Sequence, residues 1–247
     1  MRLYFTVIFC FYLTFGFAQK ITFNPVGFEL KPEDSAKIHR MASFEAKIFN
    51  GLYNNLINDS LKITLNLYNK RKDFKILLEQ HGIKGLTESG FYSPSTNQSY
   101  VYFEGTENLS TILHELSHAF LKNNSKYYPR WLTEGLAEFL ETLEEKQFNI
   151  QIVSQYNRLE KMKEFQRGKK LNLEAFLKDQ ASWRDKNRIN YMYTVSYALI
   201  YYLYKKDPQL ISKMTQLYRK GYSNEYVFKN SVGDIYQLEN GFNIYFR

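Results

Sequence analysis

The sequence predicts an α+β fold: a small N-terminal mixed sheet with helices, followed by a mostly helical C-terminal half. Three observations carry this. Leu61, Ile63, Leu65 and Leu67 alternate with Lys62, Thr64 and Asn66, the two-residue period of a half-buried strand. Phe91-Tyr92-Ser93 and the run from Ser99 to Phe103 flank the turn cluster Pro94-Ser95-Thr96-Asn97, which reads as a hairpin. From Asn108 onward the apolar spacing is helical almost throughout.

The elements follow in order. Pro32-Glu33-Asp34 opens the first helix, because proline suits a first helical turn and acids suit its positive end. Ile38, Met41, Phe44, Ile48, Leu52 and Leu56 then share one face. Lys72 to His81 reads as a short helix, and Gly82 to Gly90 is rich in turn residues. Further helices are expected near 108–123, 129–145, 153–167, 185–206, 208–220 and 224–245. No repeat or low-complexity linker interrupts the chain, so residues 19–247 read as one domain, with an α/β part over about 19–107 and a helical part over about 108–247.

Composition narrows the function classes. With 44% hydrophobic and 23% charged residues, the 247-residue chain has the make-up of a folded globular protein, and 17% aromatics argue against disorder. The net charge of +8 is spread along the chain. Its densest basic run, Lys161 to Lys170, includes Glu164 and reads as a solvated helix face. There is no Arg/Lys stripe with a reading module, so no nucleic-acid partner is expected.

Residues 1–18 are of another kind. Arg2 precedes an apolar run to Phe17, and Gly16 and Ala18 are small residues at −3 and −1 of a cut before Gln19. This is the pattern of a secretory signal peptide. An uncleaved anchor is the alternative, but the run is short for a full span. Cys10, the only cysteine, follows bulky Phe9 rather than the small residue that lipid attachment requires. The expected mature protein is therefore secreted or periplasmic, in the cell envelope, without disulfides and without stable membrane insertion.

The chemistry concentrates in His114-Glu115-Leu116-Ser117-His118, an H-E-x-x-H pattern. On a helix, positions i and i+4 project from one face, so both imidazoles can reach one ion. Glu115 sits one residue further round, beside the open coordination position, where it can act as a general base. A zinc site of this kind needs a third protein ligand. Leu121 and Asn124 stand where an elongated three-histidine motif would need Gly and His, so the ligand should be a carboxylate on the next helix. Trp131-Leu132-Thr133-Glu134-Gly135-Leu136-Ala137-Glu138 supplies Glu134, and residues 119–133 leave room to finish one helix, turn at Asn123-Asn124-Ser125 and enter another after Pro129. Gly135 and Ala137 are small enough to let this helix approach the first. Glu138, one turn on, is a candidate to support an imidazole N–H.

His114-Glu115-x-x-His118 followed by Trp131-Leu132-x-Glu134-Gly135-x-Ala137 resembles the gluzincin zinc metallopeptidases, in particular the peptidase MA-like domains, over roughly residues 85–205. The second block is similar to that of the aminopeptidase N family. The resemblance implies a zincin-like metalloprotease domain, Zn2+ as cofactor and Glu134 as the third ligand. The spacing is shorter than in aminopeptidase N, and no G-x-M-E-N type segment precedes the helix, which favours an endopeptidase. Gluzincins of this type often place a tyrosine that donates to the oxyanion at a helix start like Tyr191-Met192-Tyr193-Thr194-Val195-Ser196-Tyr197. Tyr193 lines up best, with Ser196 at the small position after it; Tyr191 and Tyr197 compete.

The resulting expectation is a zinc metalloendopeptidase acting on a peptide or protein substrate, with Glu115 passing a proton from the attacking water to the leaving amine. The strand Ser99 to Phe103 is expected at the cleft edge, pairing with extended substrate. Two alternatives stand beside it: a non-catalytic secreted module stabilised by zinc, and an envelope hydrolase of narrow specificity.

Overall fold

The computed structural model describes residues 20–83, 89–146 and 149–247. The expected signal peptide, and residues 84–88 of the turn-rich stretch, lie outside them.

The chain opens with β1 (Lys20–Val26), crosses through α1 (Pro32–Tyr53) and returns as β2 (Lys62–Tyr68). The two strands pair in parallel, Ile21 against Ile63 and Phe23 against Leu65. α2 (Arg71–Gln80) leads to the hairpin of β3 (Gly90–Ser93) and β4 (Gln98–Tyr102). The sheet order is β1-β2-β4-β3, with β4 parallel to β2 and antiparallel to β3. β4 is therefore an interior strand, and β1 and β3 are the edge strands. This corrects the expectation that Ser99 to Phe103 forms the cleft edge, because strand order depends on long-range pairing that the alternation of residues does not encode.

One face of the sheet presents Ile63, Leu65, Leu67 and Val101 to the main core, where the α1 residues Ile38, Met41, Ala46 and Phe49 meet them. The other face carries a smaller cluster of Phe74, Leu77 and Phe91 under α2. Asn66, between the buried leucines of β2, is itself buried and links the strands, accepting from Asn24 at 2.7 Å and donating to Gln98 at 3.1 Å. α1 stops at Tyr53 because Asn54 turns into the left-handed region at φ 50°; Leu56, expected on its apolar face, is exposed.

The second half is helical except for one hairpin. α3 (Leu109–Asn124) and α4 (Arg130–Leu140) are followed by β5 (Leu143–Lys146) and β6 (Asn149–Ile152). The helix expected over 129–145 ends early: the Thr142 hydroxyl donates to the Phe139 carbonyl at 2.7 Å, and the chain turns into a strand that pairs Leu143 with Ile152. Then come α5 (Tyr156–Gly168), α6 (Leu173–Lys178), α7 (Ile189–Lys206) and α8 (Pro208–Arg219). The stretch expected as one helix over 224–245 is two, α9 (Asn224–Val232) and α10 (Ile235–Tyr245). Gly233 takes φ 85° between them and the Asp234 carboxylate caps α10 through the Tyr236 N–H at 2.8 Å. An N-terminal mixed α/β region thus precedes a mostly helical half. Among the described residues no helix is long and apolar enough to cross a membrane.

α7 is the centre of the helical half, burying Met192, Val195, Ala198, Leu199, Ile200 and Leu203. Gly135 of α4 lies against it so closely that an added Cβ would sit 2.7 Å from the Ser196 carbonyl oxygen and 2.8 Å from Ile200 Cγ1. The small residue of the Glu134-Gly135 pair therefore serves contact with α7, rather than with α3 as its position after the motif helix suggested.

Candidate metal centre

α3 is buried along Ile112, Leu113, Leu116, Ala119 and Phe120, which turns His114 and His118 together toward α4. Their rings are 5.0 Å apart, centre to centre, and nearly perpendicular at 79°. Glu134 Oε2 lies 3.7 Å from the Nε2 atom of each. One ligand atom from each of the three residues falls within 4.8 Å of the others. Zinc bonds of 2.0–2.1 Å in a tetrahedral site put neighbouring ligand atoms about 3.3 Å apart, so small side-chain shifts would close the set on one ion. Glu134 Oε2 is moreover buried without a hydrogen-bond partner, the signature of an atom with a use that the protein groups do not satisfy. The donor set fits a divalent metal.

The electrostatics of Glu134 and His118 agree with that fit. Burial alone would raise the Glu134 carboxyl, but His114, His118 and Arg130 around it bring it down to about 2, so it is an anion. Burial lowers His118 to about 4 despite Glu134 beside it, leaving that imidazole neutral as a ligand must be. His114 is the opposite case: burial disfavours its cation, yet Glu134 and Glu141 together hold its proton affinity well above the ordinary value.

His114 Nδ1 is 2.8 Å from Glu141 Oε2, which orients the ring and leaves Nε2 facing Glu134 and the candidate metal position. Glu138, expected from sequence to support an imidazole, instead forms an ion pair with Arg158 on α5. A helix of 3.6 residues per turn keeps 134, 138 and 141 on one face, and the acid at the end of α4 is the one that reaches His114. Gln155 completes the group, donating to Glu141 Oε1 at 3.0 Å and to the Glu138 carbonyl at 2.8 Å, while its Oε1 accepts from Arg158 at 2.8 Å. His114, Glu138 and Glu141 also cluster within 4.8 Å, but these amide and guanidinium donors already engage the two acids.

Glu115, next to His114 in sequence, lies under the edge strand β3. The Tyr92 backbone N–H donates to its carboxylate. Gly90 makes this approach feasible: a Cβ there would stand 2.8 Å from Thr111 Cγ2 and 3.1 Å from Glu115 Oε1. Burial, with Glu134 and Glu141 nearby and against the pull of His114 and the Tyr92 N–H, raises Glu115 to about 7. On the opposite side of α3, fully buried Glu45 of α1 accepts from the Ser117 hydroxyl. Burial raises its carboxyl well above the usual range.

The three tyrosines separate by environment. Tyr197 is fully buried, with its hydroxyl accepting from the Gln155 N–H at 2.7 Å. Tyr191 packs on Phe165. Tyr193 stands edge-on to Trp183, and its hydroxyl is raised by burial, with Glu134, Glu138 and Glu115 adding to this and Arg130 opposing it. Tyr193 is thus the one held among the acids of the centre.

Sequence reasoning did not find Glu141, Glu45, Gly90, Arg130 or Trp183. Two had a readable signal: Glu141 continues the one-face series 134, 138, 141, and Glu45 interrupts the apolar face of α1 at four residues from Met41.

A family model described as "Protein of unknown function (DUF1570)" matches residues 108–221. No curated protein matches the chain. The matched segment contains the His/His/Glu set, Glu115, Glu141 and Tyr193, and it excludes β3 and Glu45.

Proposed function

We propose that this chain is an exported zinc metallopeptidase of gluzincin type, folding over residues 19–247 as one domain. The observation that supports it most is the convergence of His114, His118 and Glu134, whose ligand atoms lie within 4.8 Å of one another, with the buried carboxyl of Glu115 next to His114 on the same helix. His114, His118 and Glu134 would hold the ion, with Zn2+ favoured by two imidazoles and one carboxylate. When bound, zinc supplies Lewis-acid polarisation of the scissile carbonyl and makes water a stronger acid. Glu115 takes the proton of the attacking water and delivers it to the leaving amine. The Tyr193 hydroxyl donates to the developing oxyanion.

A second reading is favoured by one observation. The side chains of His114, His118 and Glu134 are only 15%, 17% and 11% exposed. An ion held there would also staple α3 to α4, as in a non-catalytic module stabilised by metal. Metal analysis of the mature protein, with cleavage of a broad peptide library by wild type and Glu115→Gln, separates the two. The hydrolase reading expects Glu115→Gln to hold zinc like wild type while hydrolysis falls by about two to four orders of magnitude. A wild type that holds zinc and cleaves nothing supports the module instead.

A further inference from the structure

Arg130 occupies a position that local preference disfavours. It is the first residue of α4, where the helix dipole is positive and acids rather than bases are stabilising. Tertiary contacts hold it there. Its guanidinium carbon sits 4.9 Å from the centre of the buried Trp183 ring, and its Nε lies 3.5 Å from Glu134 Oε1. That second contact is loose and goes to the carboxylate oxygen that does not face the histidines. Among the described residues no other acid lies within ion-pair distance of Arg130. Its side chain is 38% exposed, against 11% for Glu134. The centre therefore presents to solvent a planar cation, held flat by an aromatic face, beside its third candidate ligand. An ion drawing on Glu134 would weaken the one pairing the guanidinium has. A forked guanidinium with an open edge is suited to a two-pronged carboxylate.

We infer that Arg130 is a specificity-determining residue that takes a carboxylate of the peptide substrate close to the scissile bond. This rests on the hydrolase reading of the site. The carboxylate has two sources, an acidic side chain flanking the bond or a free C-terminus. The net charge of +8 suits either.

The test uses three matched peptides: one bearing Glu with an amidated C-terminus, one with Gln in its place and an amidated C-terminus, and the Gln peptide with a free C-terminal carboxylate. Calorimetry on the zinc-loaded Glu115→Gln protein reads binding without turnover, and wild type reads kcat/KM on the same set. One of the carboxylate forms should bind about 10 to 100 times more tightly than the neutral peptide, the usual worth of a hydrogen-bonded charge. Which form does so identifies the source. Adding Arg130→Gln should bring that ratio close to one, and Arg130→Lys should restore part of it. Absence of binding, absence of preference for either carboxylate, or a preference that survives Arg130→Gln overturns the inference. Loss of zinc in Arg130→Gln also overturns it, by making Arg130 a positioning residue for Glu134. If the carboxylate preference holds and depends on Arg130 while wild type cleaves none of the peptides, the hydrolase reading fails and the carboxylate site stands.

Discussion

The sheet half and the helical half both press on α3, and they do different things to it. From the helical side come atoms that face the metal position: Glu134 opposite both histidines, and Glu141 on His114 Nδ1. From the sheet side come groups that set the surroundings of the motif residues. β3 covers Glu115 through Gly90 and the Tyr92 N–H, the Ser99 hydroxyl donates to the Glu115 carbonyl at 3.4 Å, and Glu45 holds Ser117 from behind. The first group is compact in sequence, and the family match contains it. The second is assembled from residues 45 to 99 and lies outside that match. The difference teaches that a candidate ligand set can be carried by two consecutive helices, whereas the cover over the motif residues is drawn from a strand and a helix of the other half of the fold.

Breaking the helical side should have the largest effect. On the proposed reading, His118→Ala or Glu134→Ala removes one of three candidate ligands, and the mature protein should lose most of its zinc, measured as metal per chain after dialysis. Full occupancy in either variant would end the assignment. On the sheet side, Gly90→Ala should spare the metal and cost activity. Its new Cβ meets Thr111 and Glu115, and a displaced base costs up to about a hundredfold in turnover. Equal loss of zinc in this variant would show that the two sides do not divide as described.

Gly135→Ala tests the helical side without touching a ligand. The added methyl meets a backbone carbonyl of α7 and not a movable side-chain tip, so the helices must part. Stability should fall by about 1–3 kcal/mol in denaturant unfolding, the cost of overpacking. An unchanged midpoint would mean that α4 and α7 have slack.

The smallest effect is a pH slope. Burial raises Glu45 well above the ordinary glutamate value of about 4.5 in the folded chain. Such a carboxyl contributes stability that is fully present below about 4.5 and is lost as pH rises toward the folded value, because the unfolded chain gives up its proton first. The loss is at most about 1.4 kcal/mol per pH unit for one proton. Glu45→Gln keeps the shape and cannot titrate, so its stability relative to wild type should increase as pH is raised from 4.5 to 7. Parallel pH curves for the two proteins would show that Glu45 is not held protonated.

Much of this molecule is legible in its residues wherever the controlling interaction is short in sequence. The four-residue spacing of His114 and His118 places two imidazoles on one helix face whatever lies around them. The alternation in 61–67 makes a strand, and the hairpin and the helices α3 and α8 appear with ends shifted by a residue or so. Glu134 was reachable because one turn and one new helix bring a residue at that distance back alongside the first. Legibility fails where pairing is distant. β1 was not anticipated, since Lys20–Val26 contains Asn24 and Pro25 and becomes a strand only against β2. β5 is short and mostly charged, and it is a strand only because β6 folds back on it.

The sequence by itself determined an α+β chain with two histidines, an intervening glutamate and a following carboxylate on neighbouring helices, because helical periodicity is set by backbone geometry within a few residues. Only the tertiary structure decided that Glu141 and not Glu138 orients His114, that β3 rather than β4 is the edge over Glu115, and that Arg130 lies on Trp183 beside Glu134. Those outcomes depend on which surfaces bury one another, and burial is a property of the whole packed chain that no local spacing specifies.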